Sequence, residues 1–216
     1  EIFAYLDDVE SFIEELSSSA AADIIEEMDA SDAIDVLDEL DEDKREEIIG
    51  LMDEDAAKDI QLIDAYDENL IGSQMSTNFV TVYDTDTIKQ ATKSVIEQAA
   101  ENDNISTVYV IKKEDDTYYG ATTLRDLVVA RSNVDLKDIT MTAYPYFYAD
   151  EPIADCIEEL KDLSEDSIPI LSKDNKILGV ITGTELVDVV DQELGDDYAK
   201  FAGLTAEEDL NEPVLK

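Results

Sequence analysis

From residue 20 to residue 66 the apolar positions return at a period of twelve. The stretch DIIEEM at 23–28 comes back as DVLDEL at 35–40, as EIIGLM at 47–52 and more loosely as DIQLID at 59–64. Each copy is an acid, two apolar residues, two variable ones and a further apolar one. Apolar residues at i, i+1 and i+4 share one face of a helix, so the pattern predicts a run of short helices. Asp29, Ser31, Asp41 and Asp53 fall between the copies and suit N-cap positions. Helices this short cannot bury a face alone and must stack on their neighbours, as solenoid repeats do. AYLDDVESFIEELSSS at 4–19 adds a helix and a linker. Residues 1–70 are therefore expected to form an acidic all-α superhelix, cut short at its start.

After residue 72 the period changes. NFVTVY at 78–83 and STVYVIKK at 106–113 are short β-branched and aromatic runs with strand character. TIKQATKSVIEQAAE between them has helical period, TYYGATTL reads as strand into turn, and RDLVVARS as helix. The texture then repeats. MSTNFVTVYDTDTIKQATKSV at 75–95 corresponds to MTAYPYFYADEPIADCIEEL at 141–160, and YYGATTLRDLVV at 118–129 to ILGVITGTELVD at 177–188. Two β-α-β-β-α units, 73–135 and 136–190, make the whole an α+β multi-domain chain, ending in a connecting helix over 191–216.

TGTELVDVVDQELGDDYAK at 182–200 is amphipathic, with Leu186, Val187, Val190 and Leu194 along one stripe and Glu185, Asp188, Asp191 and Asp196 opposite. Glu193 and Asp197 break the pattern. They sit four residues apart at the edge of the stripe, where like charges cost about 0.2–0.5 kcal/mol on a bare helix. A cation between them would resolve the conflict.

Charge sharpens that thought. The 216 residues carry 15 basic and 56 acidic side chains, a formal net charge of -41. Such a chain has no basic patch for nucleic acid or for direct binding to anionic lipid, and its compact state gains from bound cations. A merely solvating acidic coat is the plain alternative. There is no histidine, and Cys156 is the single cysteine. Ser-His-Asp and Cys-His catalysis, zinc fingers and disulfide frameworks are thereby excluded. No EF-hand, Walker A or G-x-G-x-x-G motif is present, and no catalytic residue is assigned. Cys156 lies within the apolar helical pattern IADCIEEL and reads as core. No signal peptide opens the chain, and no uncharged stretch reaches the roughly 18 residues of a membrane helix.

The two repeats, MSTNFVTV…IKQATKSV…STVYVI…YYGATTLRDLV and MTAYPYFY…IADCIEEL…SIPIL…ILGVITGTELVDVV, resemble a tandem pair of cystathionine-β-synthase (CBS) domains. An acidic helical repeat, then LIGSQMST, then this pair and an acidic connecting helix resembles the cytosolic region of the MgtE magnesium transporter and channel family, with TLRDLVVA and GDDYAK among the matching stretches. The helical repeat also resembles a flagellar motor-switch domain family.

The resemblance implies a Mg2+-sensing regulatory region on the cytoplasmic face of the membrane, not an enzyme. Its CBS pair would dimerise, and its membrane pore domain would follow the connecting helix. Magnesium prefers six oxygens and keeps several waters, so one or two carboxylates per element suffice. The carry-over is direct for Glu185, Glu193 and Asp197. Asp188, Asp196, Asp150, Glu151 and Asp155 would add to the same interface, although Pro152 and Ala154 stand where the family can carry acids. Asp32 and Asp35 are the candidates for a bridge from the helical repeat. CBS pairs also bind adenine nucleotides such as ATP, with a Thr/Ser-x-x-Asp turn holding the ribose. Thr123 and Asp126 fit that turn, with Arg125 available to a phosphate, whereas Thr182-Gly183-Thr184-Glu185 matches imperfectly. The alternatives are an adenine-nucleotide sensor indifferent to magnesium and a helical-repeat interaction module.

Overall fold

The structure, a computed structural model, describes residues 12–13, 16–162, 165–183 and 185. After the helical residues 12–13 come α1 (Ser18–Ile25), α2 (Ala30–Asp38), α3 (Glu42–Ile49) and α4 (Glu54–Asp64). Their N-caps Ser17, Asp29, Asp41 and Asp53 keep the twelve-residue spacing. Each N-cap lies six residues before an apolar motif, so the first three motifs straddle the last helical turn and the connection after it, while the fourth, 59–64, ends its helix. The reason lies in the caps. Ser17, Asp29 and Asp53 accept hydrogen bonds from amides two or three residues on, which satisfies donors a helix start leaves open. Ser31, expected as a cap, lies inside α2, where it donates to Asp29.

Alternate helices pack together, α1 on α3 and α2 on α4, and bury Ile25, Leu37, Ile48, Ile60 and Ile63. The few basic residues act as clips. Arg45 reaches Asp38 at 3.4 Å and Asp64 at 2.9 Å, joining α3 to both neighbours. Lys44 Nζ donates to the carbonyls of Ile13 and Leu16.

A 3-10 turn, Ile71–Gln74, leads out of the superhelix. It pairs with residues of the second repeat rather than the first. Ile71 N donates to Glu151 O, Gly72 N to Ala149 O, and Ile153 N to Asn69 O. A Cβ on Gly72 would stand 2.8 Å from Ala149 O, so this crossing needs glycine.

The two repeats follow the expected order. In the first, β1 (Val80–Tyr83) runs parallel to β2 (Thr107–Ile111), which pairs antiparallel with β3 (Tyr118–Thr123). The helices are α5 (Ile88–Gln98), opened by a Thr87/Gln90 capping box, and α6 (Leu124–Val129). The second repeats this as β4 (Phe147–Tyr148), α7 (Ile153–Asp162), β5 (Ser167–Leu171) and β6 (Ile177–Thr182). The likeness extends to irregularities. Each hairpin has a register shift at the same place, Val110/Ile111 and Ile170/Leu171, and one residue at φ 59, Asp116 or Asn175.

The repeats interlock reciprocally. Ser76, before β1, bridges to Val180 on β6, and Met141, before β4, bridges to Ala121 on β3. Each bridge crosses a glycine. A Cβ on Gly120 would stand 2.5 Å from Met141 O, and one on Gly179 2.7 Å from Ser76 O. Tyr109, Ala121, Tyr144 and Val180 fill the space between the sheets. Tyr109 Oη and Ser167 Oγ are 2.6 Å apart, and Tyr144 donates to Ser167 O.

Candidate functional site

Because the two repeats are related by this reciprocal pairing, their strand-to-helix turns form two equivalent mouths. The first sets Thr123–Asp126 beside Met141–Ala143, and the second sets Thr182, Gly183 and Glu185 beside Ser76–Asn78, as the bridges of Met141 to Ala121 and of Ser76 to Val180 require. Their surroundings differ.

At the first mouth, Thr123 caps α6. Its hydroxyl accepts from Asp126 N and donates to Asp126 Oδ2. Arg125 and Asp126 are exposed, as are Met141, Thr142 and Ala143. A strand end that presents a carboxylate and a guanidinium to solvent, beside a buried aromatic cluster, can bind a polar ligand with an anionic group.

At the second mouth the helical repeat closes in. Ser76 Oγ donates to Asp29 Oδ2 at 2.8 Å and accepts from Asn78 N. Asp29 therefore caps α2 and grips the CBS-like pair with the same carboxylate. Asp59 of α4 is raised above the usual carboxylate range by burial; the adjoining Thr77 hydroxyl pulls it back, while Asp55 and Asp29 push it further up. Glu185 accepts from the Thr182 amide. Burial pushes its carboxyl up to about 7; the Thr182 bonds oppose the shift, and Asp29 and Asp32 reinforce it. Asp35 is raised by burial, then by Asp32, Asp38 and Glu68. The joint between helical repeat and second β-unit is thus where carboxylates crowd. Next to it, a cleft of about 840 Å³ is lined by Asp35, Asp38, Asp64, Asp67 and Glu68 over Ile34, Ile63 and Ile153.

The expected residues therefore separate into groups. The charge of Asp32 acts on both Glu185 and Asp35, which places these three along the same joint. Asp150 pairs with Lys173 at 3.0 Å instead, which lowers its pKa. Glu151 accepts from Tyr148 N and from the Cys156 thiol, a turn-forming role. Asp155 is an exposed first-turn acid of α7, placed to favour the helix start. Asp188, Glu193, Asp196 and Asp197 lie outside the described residues. Among the described residues, no three acidic or thiol side chains converge closely enough to hold a metal ion by themselves. The donors at the joint are nevertheless all oxygens from different elements, the set a hydrated hard cation accepts. Sequence reasoning assigned Asp29 only a cap and passed over Asp59, Ser76 and Thr77. In the structural register STN at 76–78 matches MTA at 141–143, and Ser76 in place of Met141 was the available signal.

Comparison with known proteins agrees with this architecture. The MgtE intracellular N domain matches residues 1–69, and the CBS domain matches 68–133 and 136–192. The magnesium transporter MgtE of Enterococcus faecalis is 27% identical over 158 residues, 73% of this chain and 35% of that protein. The chain thus spans about a third of the length of this curated relative. The soluble part of a magnesium transporter superposes with a TM-score of 0.81 at 25% identity, over 89% of this chain and 76% of that one. The cytosolic domain of the Mg2+ channel MgtE, crystallised in complex with ATP, gives 0.79 at 20% identity, over 87% and 77%. No helix among the described residues is long and apolar enough to cross a membrane. With an MgtE N domain running directly into a CBS pair, in sequence and in fold, the chain belongs to the MgtE family and carries its cytosolic region.

Proposed function

We propose that this chain senses cytosolic Mg2+ on behalf of a covalently linked magnesium pore. The observation that carries the reading is the 2.8 Å bond from Ser76 to Asp29 of the helical repeat at the turn that also holds Glu185, whose carboxyl burial pushes up to about 7 with the charges of Asp29 and Asp32 adding to the shift. Carboxylates held this way repel one another, and a divalent ion between them reverses the sign of the interaction. At high magnesium, hydrated ions hold the helical repeat, the CBS pair and the connecting helix together and the pore shut. At low magnesium the repulsion separates the acidic faces. The backbone pairing of 69–72 with 149–153 involves no charge and serves as the pivot.

Asp32, Asp35 and Glu185 are the ligands we assign on the described side of the joint. Asp188, Glu193, Asp196 and Asp197 are assigned to the connecting helix, and Asp150, Glu151 and Asp155 supply outlying charge. One weak site occupied at ten times its Kd supplies only about 1.4 kcal/mol, so a sharp switch needs several sites together. That requirement explains the excess of acids over any single coordination shell.

An adenine nucleotide is the second ligand. Thr123 and Asp126 would hold its ribose and Arg125 its phosphates, a reading supported by the exposure of the first mouth and by the ATP complex of the related cytosolic domain. Two chains would pair through α5 and α6. Ile96, Val128 and Val129 are 66–68% exposed there, beside a groove of about 470 Å³, and apolar residues in such a cluster mark an association face.

The test is a Mg2+ titration of the purified chain at fixed, high monovalent ionic strength, followed by small-angle scattering. Compaction in the millimolar range is expected, weakened in Asp32→Asn/Glu185→Gln and in Glu193→Ala/Asp197→Ala. A radius of gyration indifferent to Mg2+ would leave a nucleotide module with an acidic coat.

A further inference from the structure

The two mouths of the CBS pair are equivalent by construction and unequal in access. At the first, Met141 is 45% exposed and Thr142, Ala143, Arg125 and Asp126 are all open to solvent. At the second, Ser76, which occupies the position of Met141, is 1% exposed, and Thr77, Asn78 and Glu185 are half-buried. The residues that cover it come from the helical repeat. Asp29 accepts the Ser76 hydroxyl at 2.8 Å, and Asp59 stands against the hydroxyl of Thr77. Two consecutive hydroxyl donors at the mouth thus meet two carboxylates supplied by the chain itself.

We infer that the helical repeat is a built-in plug for the second mouth, its Asp29 and Asp59 carboxylates taking the hydroxyl donors that an anionic ligand would use there. The inference rests on reading the first mouth as a nucleotide site. Docking of the helical repeat and binding of an anion at the second mouth are then mutually exclusive. A docked chain offers one open mouth, and an undocked chain offers two. Because the groups that fill the mouth belong to the same joint as Asp32 and Glu185, a cation that tightens the joint also keeps the second mouth closed. The exclusion is reciprocal, since any ligand that binds only the open state shifts the chain toward it.

The plug can be tested with thiols in the full chain. Ser76→Cys and Met141→Cys place one thiol at each mouth, with the buried Cys156 as an internal unreactive control. Alkylation by N-ethylmaleimide is expected to be at least about tenfold slower at position 76 than at 141, since it requires the joint to open first. ATP should slow the reaction at 141 and leave 76 unchanged. Adding Asp29→Ala/Asp59→Ala should bring the rate at 76 up to that at 141. Isothermal titration of ATP into the chain carrying only those two alanines should show two sites per chain, against one in the parent. That measurement does not depend on tolerance of a cysteine at 76. Equal rates at the two positions, or a single ATP site in the alanine variant that is itself undocked by scattering, would overturn the plug. Slow reaction at 76 with no ATP effect at 141 would uphold the closure and instead sink the nucleotide reading.

Discussion

The first and second CBS domains share strand order, register shifts and turn conformation, yet they stand in different company. The first owns its core: Val80, Val95, Val108, Val110, Leu127 and Leu136 form a cluster of their own. The second shares its core. Phe147, Ile153, Leu160, Ile168 and Ile181 belong to one cluster with Ile25, Leu37, Ile60 and Ile63 of the helical repeat, joined through Ile71 and Met75. The same fold can therefore be a free-standing unit or half of a larger one, depending on what its helix face and leading segment touch. It also follows that the acidic joint is superimposed on an apolar one. The carboxylates set how the faces sit, and the shared core keeps them within reach of each other.

Core truncation should separate the two cases most strongly. Leu127→Ala and Leu160→Ala each remove a fully buried side chain and should destabilise by about 3 kcal/mol. Only Leu160→Ala should also speed amide exchange over residues 30–63. If both variants do so equally, the cores are not separate.

The glycines come next. Gly120→Val and Gly179→Val each drive a Cβ into a backbone carbonyl, which cannot rotate away as a side chain would. Overpacking of this kind should cost about 2 kcal/mol in urea unfolding. Gly179→Val acts at Ser76 O, beside the Asp29 contact, and so should loosen the helical repeat as well. Gly120→Val acts at the open mouth and should leave the repeat in place.

How much of this was legible beforehand follows the range of the interactions. The twelve-residue period, the caps at Asp29 and Asp53 and the two β-α-β-β-α units are written in local spacing, and they were readable. The helix starts were placed correctly by Asp29, Asp41 and Asp53, and only Ser31 fell inside a helix instead of capping one. Which domain the superhelix would join was not readable. LIGSQMST precedes the first repeat in sequence, but its backbone pairs with 149–153 of the second, a contact some 80 residues distant. Ser76 and Asp59 were hidden by shorter separations, 47 residues from Ser76 to Asp29 and fewer from Asp59 to Thr77, because their roles exist only once the mouths are formed. The pairing of Asp150 with Lys173 was not readable either, because Lys173 sits on a neighbouring loop that charge counting cannot place.

On the exposed face of the first domain the effect should fall on assembly rather than on stability. Ile96→Glu and Val128→Glu lie at positions already open to water, so the fold should change by no more than about 0.5 kcal/mol. Sedimentation should nevertheless show loss of the paired form. Equivalent charges on α7 serve as the contrast only at its exposed positions, such as Ala154→Glu, where no change of mass is expected.

The smallest contrast concerns two carboxylates just after β1 and β4, one position out of step between the repeats. Asp84 accepts from Lys137 Nζ at 2.9 Å and from Lys113 N, and its side chain is only 13% exposed. The Lys137 bond and then the Lys113 amide hold its carboxyl below the usual range. Asp150 meets Lys173 with 44% of its side chain exposed. Asp84→Asn should lower stability at neutral pH by less than about 1 kcal/mol, and raised salt should leave most of that loss in place. The effect of Asp150→Asn should vanish in high salt, because an exposed pair is screened within a few ångströms. The sign in acid follows from the depressed carboxyl. Its contribution is complete above the unfolded-state value near ~4 and is lost as pH falls through the lower folded value, where the parent takes up the proton as well. The gap between parent and Asp84→Asn should therefore close in strong acid. A gap that widened there would mean that Asp84 is held by packing and not by its charge.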